Sequence, residues 1–237
     1  MSEFWINQVT PGYYDKILIK GVKKKSGIQS NWHNITFKKI SKLITSKSEH
    51  LDYACGPGTF IGNYLKSNSI GVDISQQQID YAKKKYSNSG KFLTTEEFIF
   101  DNYNEKFDYI TVIGLLEFIN SDEIIKLVNK LNMILKPNGK VYLTTPNYRG
   151  LMYFLQKFVN IFGKVSYENQ VVNRFNKDNL EQLLIKSKFS NIKIKKILNF
   201  GIFLSAFNHN LGIRFEKFIE KIFWNFFGSI LLIELKK

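Results

Sequence analysis

An open, mostly parallel α/β sheet with helices on both faces is the fold class this sequence predicts, and three observations predict it. Apolar segments of strand length alternate along the chain with segments whose apolar residues recur at helical spacing. A glycine turn, Gly56-Pro57-Gly58, directly follows the first strand-like segment. A second short apolar segment, Ile70-Gly71-Val72, ends in an acid, Asp73. In such a sheet, a glycine turn after one strand and a carboxylate at the tip of the next describe a site for a nucleoside-bearing ligand at the carboxyl edge.

The elements follow in order. Ile35, Ile40, Leu43 and Ile44 put a helix over 34–46, and a strand over 49–53 leads into the glycine turn. A helix over 59–66, a strand over 70–73 and a helix over 76–86 come next, with Ser75 placed to cap the last. Strands near 91–94 and over 109–113, a helix over 122–135 and a strand over 140–144 extend the alternation. A helix near 178–187, a strand over 191–196 and a terminal strand over 229–235 complete it. Residues 1–48 are expected to form an N-terminal helical cap on a main domain spanning 49–237.

Two segments exceed what the sheet needs. One, 148–175, carries Tyr148, Tyr153, Phe154, Phe158, Phe162 and Tyr167. The other, 200–228, carries Phe215, Phe218, Ile219, Ile222, Phe223, Phe226 and Phe227, spaced as an apolar stripe on an amphipathic helix. Each stripe reads either as core or as the wall of an apolar substrate pocket, and the second also as a face for a bilayer. Glu216, Lys217, Glu220 and Lys221 beside the second stripe balance in charge, so this face predicts no net pull toward anionic lipid.

With 44% hydrophobic content, 237 residues can bury a full core, which favours one decorated domain. The single cysteine, Cys55, excludes an internal disulfide, and its place inside the glycine turn reads as packing. The formal net charge of +14 comes almost wholly from lysine, arginine standing only at Arg149, Arg174 and Arg214. That shortage of guanidinium forks speaks against specific nucleic-acid recognition. No apolar run has the length of a spanning helix and no signal-peptide pattern opens the chain, so the expected compartment is cytoplasmic, with peripheral membrane contact as an extension.

The chemistry of the turn narrows the ligand. Gly56 and Gly58 let backbone approach a ligand where a side chain would clash, and the helix that follows presents unpaired N–H groups. Asp73 is placed to accept from both ribose hydroxyls. The dinucleotide fingerprint fails, because the position three after Gly58 is Ile61, and no Gly-Lys-Ser/Thr follows for a phosphate loop. Asp52, directly ahead of the turn, would repel a pyrophosphate yet suits a ligand with an amine and a sulfonium. S-adenosylmethionine fits.

The run Asp52-Tyr53-Ala54-Cys55-Gly56-Pro57-Gly58 resembles the first motif of class I S-adenosylmethionine-dependent methyltransferases, and Val72-Asp73-Ile74-Ser75 resembles the second. Lys106–Ile119 is similar to the family's fourth strand and exit loop, and Leu135–Asn147 to its turn into strand five. The resemblance spans roughly 49–147, with weaker agreement to about 198, is nearest the type 11/23 group, and implies a Rossmann-like, mostly parallel seven-stranded fold. It implies cofactor contacts at Asp52, Ala54, Cys55, Gly56, Gly58, Asp73, Ile74, Thr95 and Ile113. Ala54 replaces a family glycine, which the turn tolerates if Ala54 keeps a negative φ. Phe118 stands where the family has a histidine, and the adenine contact within Leu93–Phe98 stays unassigned.

Candidate acid–base residues are few. His33 and His209 are the candidate catalytic groups; Tyr13 and Tyr14 could place ring faces over the sulfonium, Glu117 could reach the cofactor or the substrate, and His50 reads as structural. No metal site is expected, since three scattered histidines and one cysteine offer no ligand spacing. The expected activity is methyl transfer to an oxygen or carbon of a small-molecule or lipid- or saccharide-linked acceptor. The alternatives are a catalytically inactive binding subunit of the same fold and an RNA methyltransferase.

Overall fold

The computed structural model describes residues 3–149, 152 and 168–237. Of the aromatic positions anticipated after the fifth strand, Tyr153, Phe154, Phe158, Phe162 and Tyr167 lie outside the described residues.

A seven-stranded sheet in the order β3-β2-β1-β4-β5-β7-β6 organises the chain. Its strands are β1 (Glu49–Tyr53), β2 (Asn68–Asp73), β3 (Lys91–Thr94), β4 (Phe107–Ile113), β5 (Leu135–Pro146), β6 (Asn191–Ile197) and β7 (Ile230–Lys236). The pairings from β3 through β5 are parallel. β7 inserts antiparallel between β5 and β6, so the sheet is mixed rather than wholly parallel. Its alternating burial shows why it forms: Leu231, Ile233 and Leu235 enter the main core, and Ile230 and Leu232 pack on the opposite face.

One sheet face is covered by α5 (Ser121–Ile134) and α6 (Lys177–Leu184), which bury Ile124, Val128, Leu131, Leu180 and Leu184. Asn120 starts α5 with a reciprocal capping box to Glu123, and Asn176 does the same for α6 with Asn179. On the other face α2 (Ile28–Ser41) and α3 (Thr59–Tyr64) contribute Ile40 and Phe60 to a cluster with Tyr142, while α4 (Gln76–Tyr86) closes over β2 and β3. Ser75 precedes α4, but its hydroxyl makes no cap bond; the Asp73 carboxylate takes the Ser75 N–H at 2.9 Å instead.

The N-terminal residues contain more helix than sequence spacing shows. α1 (Tyr13–Lys24) was not anticipated, and α2 begins earlier than residue 34 and ends before 46. A buried acid anchors α1. Asp15 is fully enclosed, accepting from Thr59 Oγ1 at 3.0 Å, Tyr81 Oη at 2.7 Å and Tyr86 Oη at 2.6 Å, and pairing with Lys85. Burial alone would raise its pKa, but Lys85 and the two tyrosines outweigh it and hold the carboxyl below its usual value. Two short helices close the C-terminal part, α7 (Gly201–Leu204) and α8 (His209–Phe223).

Candidate active site

Strand order reverses between β1 and β4, and at the carboxyl ends of these strands lies a cavity of about 320 Å³. Asp52, Ala54, Cys55, Gly56, Asp73, Ile74, Thr95 and Ile113 all line it. Gly58 does not; a Cβ there would come within 2.7 Å of the Phe92 ring, so this glycine serves the close approach of turn to strand.

The first loop turns through left-handed backbone. Ala54 takes a φ of 66° and Gly56 one of 52°. The expectation that Ala54 keeps a negative φ is therefore overturned: the exit from β1 needs a left-handed residue, and a Cβ there costs roughly 1–2 kcal/mol. A Cβ on Gly56 would meet nothing within 4 Å, so open volume faces its backbone. Gly56 N–H donates to Asp73 Oδ2 at 2.8 Å, which with the Ser75 bond fixes the second acid between two turns. Burial raises the Asp73 pKa, and the backbone donors counter part of that rise.

Asp52 rests on a polar chain within the sheet. Thr111 Oγ1 donates to Asp52 Oδ1 at 2.6 Å and lies 3.0 Å from His50 Nε2, whose Nδ1 lies 3.1 Å from Ser69 Oγ. Burial pushes Asp52 up to about 7, with the Thr111 bond opposing and the Asp73 charge adding to the rise. Burial also lowers His50 to about 3, keeping it a neutral support. A threonine in an otherwise apolar strand segment, Tyr109-Ile110-Thr111-Val112, was the sequence signal for this support.

Trp5, Trp32, Phe118, Tyr148, Met152 and Ile230 also line the cavity, a mostly apolar set. Glu117 and His33 line the cavity with them. Glu117, almost fully buried, accepts from Thr145 Oγ1 at 3.1 Å, and burial raises its carboxyl to about 7. His33 also lines the cavity, edge-on to Tyr14, and burial lowers it to about 4, so it is neutral at pH 7. His209 is elsewhere: its Nε2 sits 3.0 Å from Ser30 Oγ and 3.1 Å from the Gly27 carbonyl, joining α8 to α2. Tyr14 lines the cavity and Tyr13 does not. None of residues 200–228 lines it either; Ile202 and Leu198 stand behind the wall in a cluster with Met152 and Ile230. Among the described residues there is no group of three metal-ligating side chains and no helix long and apolar enough to cross a membrane.

The sequence pattern described as "Methyltransferase domain" matches residues 31–194 of the chain. The protein belongs to that methyltransferase family. Its S-adenosylmethionine fits the residues present, with open volume over Gly56 and with the buried Asp52 and half-buried Asp73 both lining the cavity. The methyltransferase is similar to an uncharacterized protein of Rickettsia prowazekii, 28% identical over 193 residues that make up 72% of this chain and 77% of that one. It is also similar to the demethylmenaquinone methyltransferase of Chlamydia caviae, 25% identical over 204 residues, 77% of this chain and 88% of that one. In fold it is similar to an S-adenosylmethionine-dependent methyltransferase of Archaeoglobus fulgidus, with a TM-score of 0.60, 16% identity and coverage of 86% and 94% of the two chains.

Proposed function

We propose that this methyltransferase acts on an oxygen or carbon of a small or lipid- or saccharide-linked acceptor that is at least partly apolar. The apolar wall at the acceptor end of the cavity carries this reading, and the name of the Chlamydia caviae relative agrees with it. The cofactor, when bound, supplies an already activated methyl group. Asp52 offers its carboxylate to the cofactor's cationic end, and Asp73 offers acceptors to the ribose. The helices α1 and α2 put Tyr14, Trp32 and His33 against the cavity, and in this reading keep water out. Glu117, half ionised near pH 7, takes the proton from a phenol or enol as its oxygen or carbon attacks, while neutral His33 accepts a hydrogen bond that orients the acceptor. The test is transfer of labelled methyl to a panel of phenols and hydroquinones with and without alkyl tails. Wild type should prefer tailed acceptors, and Glu117→Gln should lower kcat by about 10²-fold or more with cofactor affinity unchanged. Preference for untailed polar acceptors, or full turnover by Glu117→Gln, would overturn the reading.

A further inference from the structure

The helix with the aromatic stripe is turned outward. In α8 the inward positions are His209, Gly212, Glu216 and Ile219, while Leu211, Phe215, Phe218 and Ile222 recur at helical spacing on an adjoining side and face solvent. Gly201 permits this packing: a Cβ on it would come within 2.4 Å of the Glu216 backbone, so α7 and α8 touch backbone to backbone at this point. Phe207 before the stripe is 80% exposed, Phe218 57%, Trp224 86% and Phe226 69%. Single exposed apolar residues are ordinary, but here Phe215 stacks on Phe218, and Phe227 packs against Phe223 and Phe226, and such clustered exposed aromatics mark a surface that something covers.

Its charges are not balanced after all. Glu216 is 2% exposed, turned inward to accept from the Asn199 N–H and side-chain amide, and Glu220 pairs with Lys39 at 2.9 Å. Arg214, Lys217 and Lys221 are exposed, and among the described residues no ion pair includes them. Lys196 lies over the Phe226 ring, 5.3 Å from its centre. At the other end the His209 N–H donates to the Lys25 carbonyl at 2.7 Å, which sets the exposed run Lys23-Lys24-Lys25 beside the start of the stripe.

We propose that this face docks on an anionic lipid bilayer, its aromatic tips entering the headgroup region and its lysines and Arg214 meeting lipid phosphates. A second copy of the chain is the poorer occupant, because an isologous contact would set these cations against themselves. The α7–α8 pair also backs the cavity wall through Ile202, so docking would hold the acceptor end of the cavity close to the membrane.

Sedimentation of the full chain with vesicles tests this, using phosphatidylcholine alone and phosphatidylcholine mixed with phosphatidylglycerol. Wild type should bind the mixed vesicles, more weakly as salt rises, and should bind neutral ones little. Lys217→Glu with Lys221→Glu should cut binding at least about tenfold while the melting temperature holds. Phe218→Ser with Ile222→Ser should cut it comparably, and serine on a solvent-facing stripe leaves the core intact. The proposal is overturned if wild type ignores anionic vesicles at low salt, if charge reversal leaves binding unchanged, or if wild type is a dimer that the serine variant makes monomeric. Vesicle binding needs no cofactor, so its failure would leave the methyl-transfer reading standing.

Discussion

Asp52, in the proposed site, would couple the sheet to its ligand. Its buried carboxyl titrates near 7, so at neutral pH the free site is close to half protonated, whereas a cationic ligand beside it favours the ionised form. Binding should then release a proton. Cofactor affinity should rise between pH 6 and pH 8 and, well below the midpoint, weaken by up to about tenfold per pH unit. Thr111→Val removes a hydrogen bond to the charged form worth about 1.5 kcal/mol and should move the midpoint up by roughly one unit. Calorimetric titration across that pH range reads both, and a flat profile would remove Asp52 from contact with the cation. The acid itself was legible from its place before the glycine turn. His50, two residues earlier on the same strand, shares its face, but the contact with Thr111 was not legible, because it depends on the pairing Asp52↔Thr111 between β1 and β4. Ala54 was legible as an exchange for glycine, but its sign of φ depends on the path of the turn rather than on the residue.

The elements that escaped prediction are those whose packing partners lie far along the chain. In α1, Leu18 is buried while Ile19 and Val22 are exposed, so no single apolar stripe announces the helix. What holds it is Asp15, gathered by donors from α3 and α4. Asp15→Ala should cost about 2–4 kcal/mol, since it leaves buried hydroxyls without their acceptor. It should also loosen the wall formed by Tyr14 and Leu18. Hydrogen exchange should show lost protection over residues 13–24 first, with cofactor affinity lowered; unchanged protection there would show that apolar contacts alone hold α1. The helix α8 teaches the converse. Its stripe was plain in the sequence, but periodicity marks a stripe without saying which way it faces, and the pair Gly201 and Gly212 decides that by letting α7 approach the polar side.

At the scale of the whole molecule, the fold was legible because each parallel strand carries its own apolar run and the glycine turn fixes where the order reverses. The terminal strand was read from its position and pattern, while its antiparallel insertion beside β5 depends on pairing between residues nearly a hundred positions apart, such as Lys140↔Lys236. The cavity inherits this geometry: acids stand at the tips of β1 and β2, where we propose that the cofactor binds, and the apolar lining that includes Ile230 of β7 is proposed for the acceptor. The measurement that tests this most directly is calorimetric titration of S-adenosylmethionine into wild type and Asp73→Ala, with circular dichroism confirming that both are folded. Wild type should bind at one site, and the variant should bind more weakly by roughly 1.5–3 kcal/mol, the loss of a charged acceptor for the ribose. No heat of binding by wild type, or equal affinity in a folded variant, would contradict the placement of the cofactor at the tips of β1 and β2.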